Sequence, residues 1–423
     1  MSSSLAFRHV RHLSTAAAAS AAAAKPVTIS HTKSRLKKVH DPDEALKIYY
    51  SFTTSNDPST SPSSIRHAQE FTVRRLAKSQ RFSDIETFLE SHKSNPQITH
   101  EPFISSLIRS YGVAGMFENA LKTYNEMTDF GTPRTTLSFN SFLYACIHSK
   151  AFDRVPTYFS EFPEKFGFSP DKFSYGILIK SYCEMGSPEI AIEKLNEMEE
   201  KGIDVDAIAF STILHAFYEK GRSDEAEIFW DEMVTKKGLK PDVGSYNVRL
   251  LHIHHGEPEG IKKLIEEMGN VGIKPDVFSY NYMMTSYCEK GMMDEAKKVY
   301  NELLKTKGCN PNAATFRTLV VYMCKHGRFV SGYKVFKEGV KVGKIPDYDT
   351  LKNLLEGLVK IERMSEAKAL VRTMHKRLSS NLLEAWGKLA QDLGVAHVGT
   401  QEVVDSGEIE KAVVTSEVEK ANT

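Results

Sequence analysis

The stretch Gly238-Leu239-Lys240-Pro241-Asp242-Val243-Gly244-Ser245-Tyr246-Asn247 returns 34 residues later as Gly272-Ile273-Lys274-Pro275-Asp276-Val277-Phe278-Ser279-Tyr280-Asn281. The same ending stands at Gly167 to Asp171, and in weaker form at Gly202 to Asp206, Gly308 to Asn312 and Gly343 to Asp347. Aligning the segments that follow puts unit starts at 136, 172, 207, 243, 277 and 313, with fainter units at 66, 101 and 348 and a period of 34 to 36 residues. A period of this size belongs to stacked supersecondary units, none of which buries its apolar face alone.

Residues 172 to 206 show what one unit is. Tyr175, Leu178, Ile179, Tyr182 and Cys183 recur at helical spacing and give a first helix with one apolar stripe. Gly186 breaks it; Ser187 is then placed to cap a second helix, with Pro188 at its first position and Glu189 at the positive end of its dipole. Ile190, Ala191, Leu195 and Met198 form the buried face of that helix before Gly202 ends it. Ser223 and Ser365 are expected to cap second helices in the same way, and Met127, Met198, Met233 and Met268 to pack between repeats. The expected fold is all-α, a right-handed superhelical solenoid of about nine helix-turn-helix repeats. It occupies 66–382, after an incomplete leading helix and linker in 41–65 and before a capping helix in 383–395.

The formal charge is +1, with 55 basic and 54 acidic residues, so no overall field draws the chain to nucleic acid or membrane. Residues 1–40 hold seven Lys or Arg, much Ser and Ala, and no acid, the composition of an organelle transit peptide. Arg8 and Arg11 beside Leu5, Phe7, Val10 and Leu13 suit a basic amphipathic helix, which favours the mitochondrion over the plastid and places the product in the matrix. Residues 396–423, with six acids and two lysines, are expected to be a disordered tail. No apolar run approaches the roughly 20 residues that cross a bilayer, so no membrane insertion is expected.

Little in the chain suggests catalysis. It has no P-loop, no dinucleotide fingerprint and no nucleophile elbow. Its five cysteines contain no C-x-x-C pair, which removes zinc ribbons and the zinc deaminase signature. Cys183, Cys288 and Cys324 each fall on the twelfth residue of a unit and are read as core thiols. His252, His254 and His255 cluster on one helix without a carboxylate or thiol at ligand spacing, and are read as a helix face. No enzyme activity, cofactor, metal or small-molecule substrate is expected.

The tetratricopeptide pattern, with its Trp and Leu-Gly, fits poorly, since Trp230 and Trp386 are the only tryptophans and stand elsewhere. The repeated ending, the Tyr-Asn openings at 246 and 280, the Tyr-Cys-Glu segments at 182 and 287, and the Asp-Glu-Met and Glu-Glu-Met helix ends at 231 and 266 resemble the pentatricopeptide repeat (PPR) family over about three quarters of the chain. The resemblance implies an organellar RNA-binding solenoid in which each repeat offers one base to its fifth and last residues. Carried onto this sequence, the pairs are Asn140 with Asp171, Gly176 with Asp206, Ser211 with Asp242, Asn247 with Asp276, and Asn281 with Asn312. In the family, Asn with Asp tends to read U, Ser with Asp leans to G and Asn with Asn to C. Leu137, Phe173, Ile208 and Phe278, the second residues of their units, would pack on base faces. Arg317 and Lys352, cations where a reader should stand, would touch phosphate. A structural alternative stands beside each role: Asn247 as a helix cap, Asp242 and Asp276 as holders of the turn between repeats.

Stacking contributes roughly 1 to 3 kcal/mol per base, but ordering of the strand offsets much of it. Five modest repeats then reach about −8 kcal/mol, a micromolar affinity. A short array, an incomplete reader row, near-neutral charge and a targeting segment together resemble the short PPR proteins of plant mitochondrial ribosomes, chiefly of the small subunit. That resemblance implies ribosomal RNA and mitochondrial ribosomal proteins as partners. The alternatives are a transcript-specific factor bound to single-stranded RNA, and a protein-only helical scaffold.

Overall fold

The computed structural model describes residues 41–53, 62–253, 258–378 and 380–395, with Thr32, Arg35, Leu36, Val39 and Gly256 besides. Almost all of the expected transit peptide, the acidic tail, His254 and His255 lie outside these residues. The described residues form 20 α-helices and no strand. They make two compact units, one through Ser286 and one from Tyr287.

The first unit opens with α1 (Pro42–Thr53), α2 (Pro62–Lys78) and α3 (Phe82–Ser91). Helix α2 begins inside the Ser/Pro-rich stretch expected to be linker, with Pro62 at the first helical position, where a missing N–H leaves no bond unmade. Five hairpins follow: α4 (Glu101–Val113) with α5 (Phe117–Asn125), α6 (Thr136–His148) with α7 (Val155–Phe166), α8 (Lys172–Glu184) with α9 (Pro188–Glu200), α10 (Ala207–Glu219) with α11 (Ser223–Trp230), and α12 (Val243–Ile253) with α13 (Pro258–Asn270). Helix α14 (Val277–Glu289) opens the next repeat. Each first helix from α4 to α10 contacts the first helix of the following repeat, so the first helices form a row with the second helices packed against them. Met127, Met198, Met233 and Met268 are all buried.

Side-chain caps lie on first helices, from Asp171, Asp206, Asn312 and Asp347 and, as a hydroxyl, from Thr135. Asp171 accepts the backbone N–H of Ser174 while the Ser174 hydroxyl accepts the N–H of Asp171, a reciprocal cap on α8. Asp206 takes two backbone N–H groups of α10. The caps expected at Ser187, Ser223 and Ser365 are corrected. Ser187 makes no side-chain cap bond, and Ser223 is already the first residue of α11. The cause is the turn before each second helix. Gly186 and Gly221 are left-handed, at φ 78 and 71, and the residue after Gly186 is left at ψ 64, not the extended backbone that aims a cap hydroxyl at the helix end. Repeats without glycine make the same turn with Gln80, Lys150 and Glu362, at φ 56, 59 and 60.

Differences in unit length are absorbed locally. The second helix of the 207 unit ends as a π turn, Asp231–Lys236. Leu239 N–H therefore bonds the carbonyl of Met233 six residues back, where Ile203 and Ile273 bond Met198 and Met268 five back.

The second unit contains α15 (Met293–Lys305), α16 (Ala313–Lys325), α17 (Phe329–Lys341), α18 (Tyr348–Lys360), α19 (Met364–His375) and α20 (Ser380–Asp392). Ser365 lies inside α19, its hydroxyl on Glu366. Trp386 of α20 is fully buried, edge-on to Tyr348 at 5.8 Å, with its N–H on the Val371 carbonyl at 3.4 Å. No described helix is long and apolar enough to cross a membrane.

Candidate RNA interface

Large apolar side chains in water need a reason, and four of them stand at repeat spacing. Leu137, Phe173, Ile208 and Phe278, each the second residue of a first helix, are 48%, 68%, 71% and 53% exposed. Their place follows from the caps: the chain turns at the last residue of one unit, enters the helix, and its second side chain points away from the core before the apolar stripe begins.

The fifth and last residues meet beside them. Asn140 donates from Nδ2 to Asp171 Oδ1 at 3.0 Å, and Asn247 donates to Asp276 Oδ1 at 3.1 Å. In each pair a third residue closes the arrangement. The Ser174 hydroxyl donates to Asn140 Oδ1 at 2.6 Å, and the Ser279 hydroxyl to Asn247 Oδ1 at 2.7 Å. The amide is thus held at both ends in one orientation, with a second N–H and a further lone pair remaining on it. A donor and an acceptor side by side in a plane, next to an exposed apolar surface, match the edge and face of a nucleobase. Asp171 and Asp276 also cap their helices, so both roles weighed for the aspartates are open to one side chain. Asn247 is no cap.

The remaining positions differ. Ser211 reaches Asp242 only through Ser245, whose hydroxyl lies 2.9 Å from Ser211 Oγ and 3.0 Å from Asp242 Oδ1. Gly176 offers no side chain, and Ala209 stands where Ser174 and Ser279 do in their repeats; Asp206 faces Lys172 Nζ at 3.8 Å. An open groove of about 870 Å³ runs past Ile208, Ser211, Asp242, Asn247 and Phe278. Asn281 is buried, 7% exposed, and Asn312, in the second unit, caps α16. Arg317 is paired with Asp347 at 3.1 Å, and Lys352 lies 4.0 Å from Glu356 one turn on. Burial works against ionisation of Asp347, but its bonds from Thr350 and the Arg317 charge hold the carboxyl below the usual range.

The third residue of the unit was missed in the sequence although its signal is there. Ser138, Ser174, Ser245, Ser279, Thr315 and Thr350 repeat a hydroxyl at that position. Burial pushes the thiols of Cys183, Cys288 and Cys324 up to about 12, so they stay protonated and unreactive near neutral pH.

Comparison with known proteins sets this arrangement in context. The PPR repeat family matches residues 170–219 and 275–325, and the PPR repeat matches 105–132 and 208–237. In Arabidopsis thaliana, small ribosomal subunit protein mL103 (rPPR7) is 52% identical over 398 residues, which is 93% of this chain and 95% of that protein. A mitochondrial pentatricopeptide repeat-containing protein of the same plant is 51% identical over 99% of both chains. Small ribosomal subunit protein mS79 (rPPR3b) is 44% identical over 32% of this chain and 34% of its own length. Among solved structures, that of maize PPR10 is 20% identical with a TM-score of 0.43, over 87% of this chain and 60% of that one.

Proposed function

This chain belongs to the pentatricopeptide repeat family, and from that premise we propose that it is a non-enzymatic, RNA-binding component of the mitochondrial ribosome, contacting ribosomal RNA and ribosomal proteins. The observation that carries the reading is the 52% identity, nearly end to end on both sides, with a protein named for a ribosomal subunit. The reader row supports it. Its complete Asn–Asp–Ser sets stand at Asn140 and Asn247, with Gly176 and Ser211 between them. At about 1 to 3 kcal/mol per stacked base, two complete positions separated by two weak ones do not supply the affinity to select one transcript. In a ribosome the same side chains need only add to a large set of simultaneous contacts. Asn140, Asp171, Asn247 and Asp276, with Phe173, Ile208 and Phe278 beside them, are the RNA-facing residues on this reading.

The test is sedimentation of mitochondrial lysate with and without magnesium, following this protein against the ribosomal RNAs. Stoichiometric migration with the small subunit after magnesium removal is expected, in line with the names of the relatives. Migration with the large subunit keeps the ribosomal assignment and changes the subunit. Recovery only in light, ribonuclease-sensitive fractions overturns it in favour of a transcript-binding factor.

A further inference from the structure

Two histidines from neighbouring repeats face each other on the groove side of the first unit. His215 and Glu219 are one turn apart on α10, with His215 Nε2 3.7 Å from Glu219 Oε1. His252 arrives from α12, its Nε2 3.1 Å from His215 Nδ1. One ligand atom from each of the three lies within 4.8 Å of the others. The Tyr218 ring stacks on the His252 ring at 4.6 Å and 11°, and the Tyr218 hydroxyl donates to Glu227, so a second layer fixes the plane of the imidazole.

We propose that His215, Glu219 and His252 form a binding site for a divalent transition-metal ion, zinc by the chemistry of its ligands, which joins the 207 and 243 repeats. Two imidazoles and a carboxylate with a fourth position open to water are the donor set of open zinc sites. Nitrogen ligands disfavour magnesium and calcium. Zinc–nitrogen bonds of about 2.0 to 2.1 Å in a tetrahedral site put two ligand nitrogens roughly 3.3 Å apart, close to the 3.1 Å between His215 Nδ1 and His252 Nε2, while Glu219, which faces the other nitrogen of His215, completes the set by rotating its exposed side chain. A plain hydrogen bond between the rings also fits 3.1 Å, and Glu219 also fits an ordinary i,i+4 pair with His215; the binding measurement separates that arrangement from a shared metal ion. The preceding repeat sharpens the contrast. There the same register holds Lys180 and Glu184, an ion pair at 3.8 Å, so His215 stands where the neighbouring repeat has its own cation.

The test uses the full chain stripped with chelator, titrated calorimetrically with zinc chloride and, separately, with cobalt(II) followed by visible absorption. One equivalent of zinc is expected, with a cobalt spectrum lacking the thiolate charge-transfer band, since the five cysteines take no part. His215→Ala, His252→Ala and the surface change Glu219→Gln should each weaken binding by at least about tenfold. The metal-free melting curve of Glu219→Gln should match the parent, and zinc should raise the melting temperature of the parent but of none of the three variants. A His254→Gln, His255→Gln double variant should bind as the parent does. Absence of a stoichiometric site, a thiolate band, unchanged affinity in the three variants, or loss of binding in the double variant would each overturn the proposal.

Discussion

Asp171→Ala tests the structural role of a carboxylate for which a contact with RNA is proposed as well. Asp171 Oδ1 accepts the Ser174 backbone N–H at 2.9 Å, capping α8, and Asn140 Nδ2 at 3.0 Å from the preceding repeat. Losing the cap costs about 1 kcal/mol. A hydrogen bond to a charged acceptor nominally contributes about 1.5 to 3 kcal/mol, but Asn140 is only half-buried and water replaces much of it, leaving roughly 0.5 to 1 kcal/mol. The sum is about 2 kcal/mol, and in a repeat array it falls on one hairpin rather than on the whole chain. Hydrogen exchange is therefore the assay. The amides of the first turns of α8 should exchange about thirtyfold faster, while those of α18 stay unchanged. Asp171→Asn keeps a good capping acceptor and should cost under about 0.5 kcal/mol. Asn140→Ala removes the amide and leaves the cap. If Asp171→Ala protects α8 as well as Asn140→Ala does, the reciprocal cap is not holding the helix and the reasoning fails. The same numbers bear on function: RNA crosslinking lost in Asp171→Ala reports a loosened hairpin as much as a lost base contact, and Asn140→Ala is the cleaner probe.

Two further outcomes are expected. Lys150 occupies the left-handed turn position at φ 59, so Lys150→Gly should raise stability by about 0.5 to 1 kcal/mol in urea unfolding, whereas Gly221→Ala, at φ 71 with open space around it, should lower it by about 1 kcal/mol; the opposite signs would refute the strain argument. Glu197 is held near a pKa of about 2, against 4.5 ordinarily: burial opposes ionisation, but bonds from Lys194, Lys201 and Tyr175 outweigh it. Because the folded value is depressed, its contribution is full above about pH 4.5 and is lost as pH falls through about 2. Glu197→Gln should flatten the fall in melting temperature across that window, and parallel curves for variant and parent would disprove it.

The helices were legible because their causes are local. An apolar stripe at 3.6-residue spacing and a punctuating glycine lie within one unit, and six copies of the ending from Gly167 to Asp347 make the period plain. The second-helix caps were misread for a reason the sequence does not display. Ser187 has the right chemistry at the right place, yet a left-handed turn immediately before it sets ψ to 64 and swings the hydroxyl away. The π turn after Trp230 was equally hidden, since one extra residue in a loop and one in a helix look the same in a string of letters.

By itself the sequence determined a repeat of helical hairpins, its register, and which residues stand at the fifth and last positions of each unit, all of which depend on spacing within about 36 residues. The tertiary structure decided which of those residues touch. Asn140 meets Asp171 and Ser174, and Asn247 meets Asp276 and Ser279, because one repeat lies against the next at hydrogen-bond distance. Ser211 needs Ser245 as an intermediary because its side chain is too short to reach Asp242. His252, read from the sequence with its chain neighbours, meets His215, 37 residues away on α10. Contacts between repeats are set by the angle and distance at which hairpins stack, and no spacing along the chain encodes those.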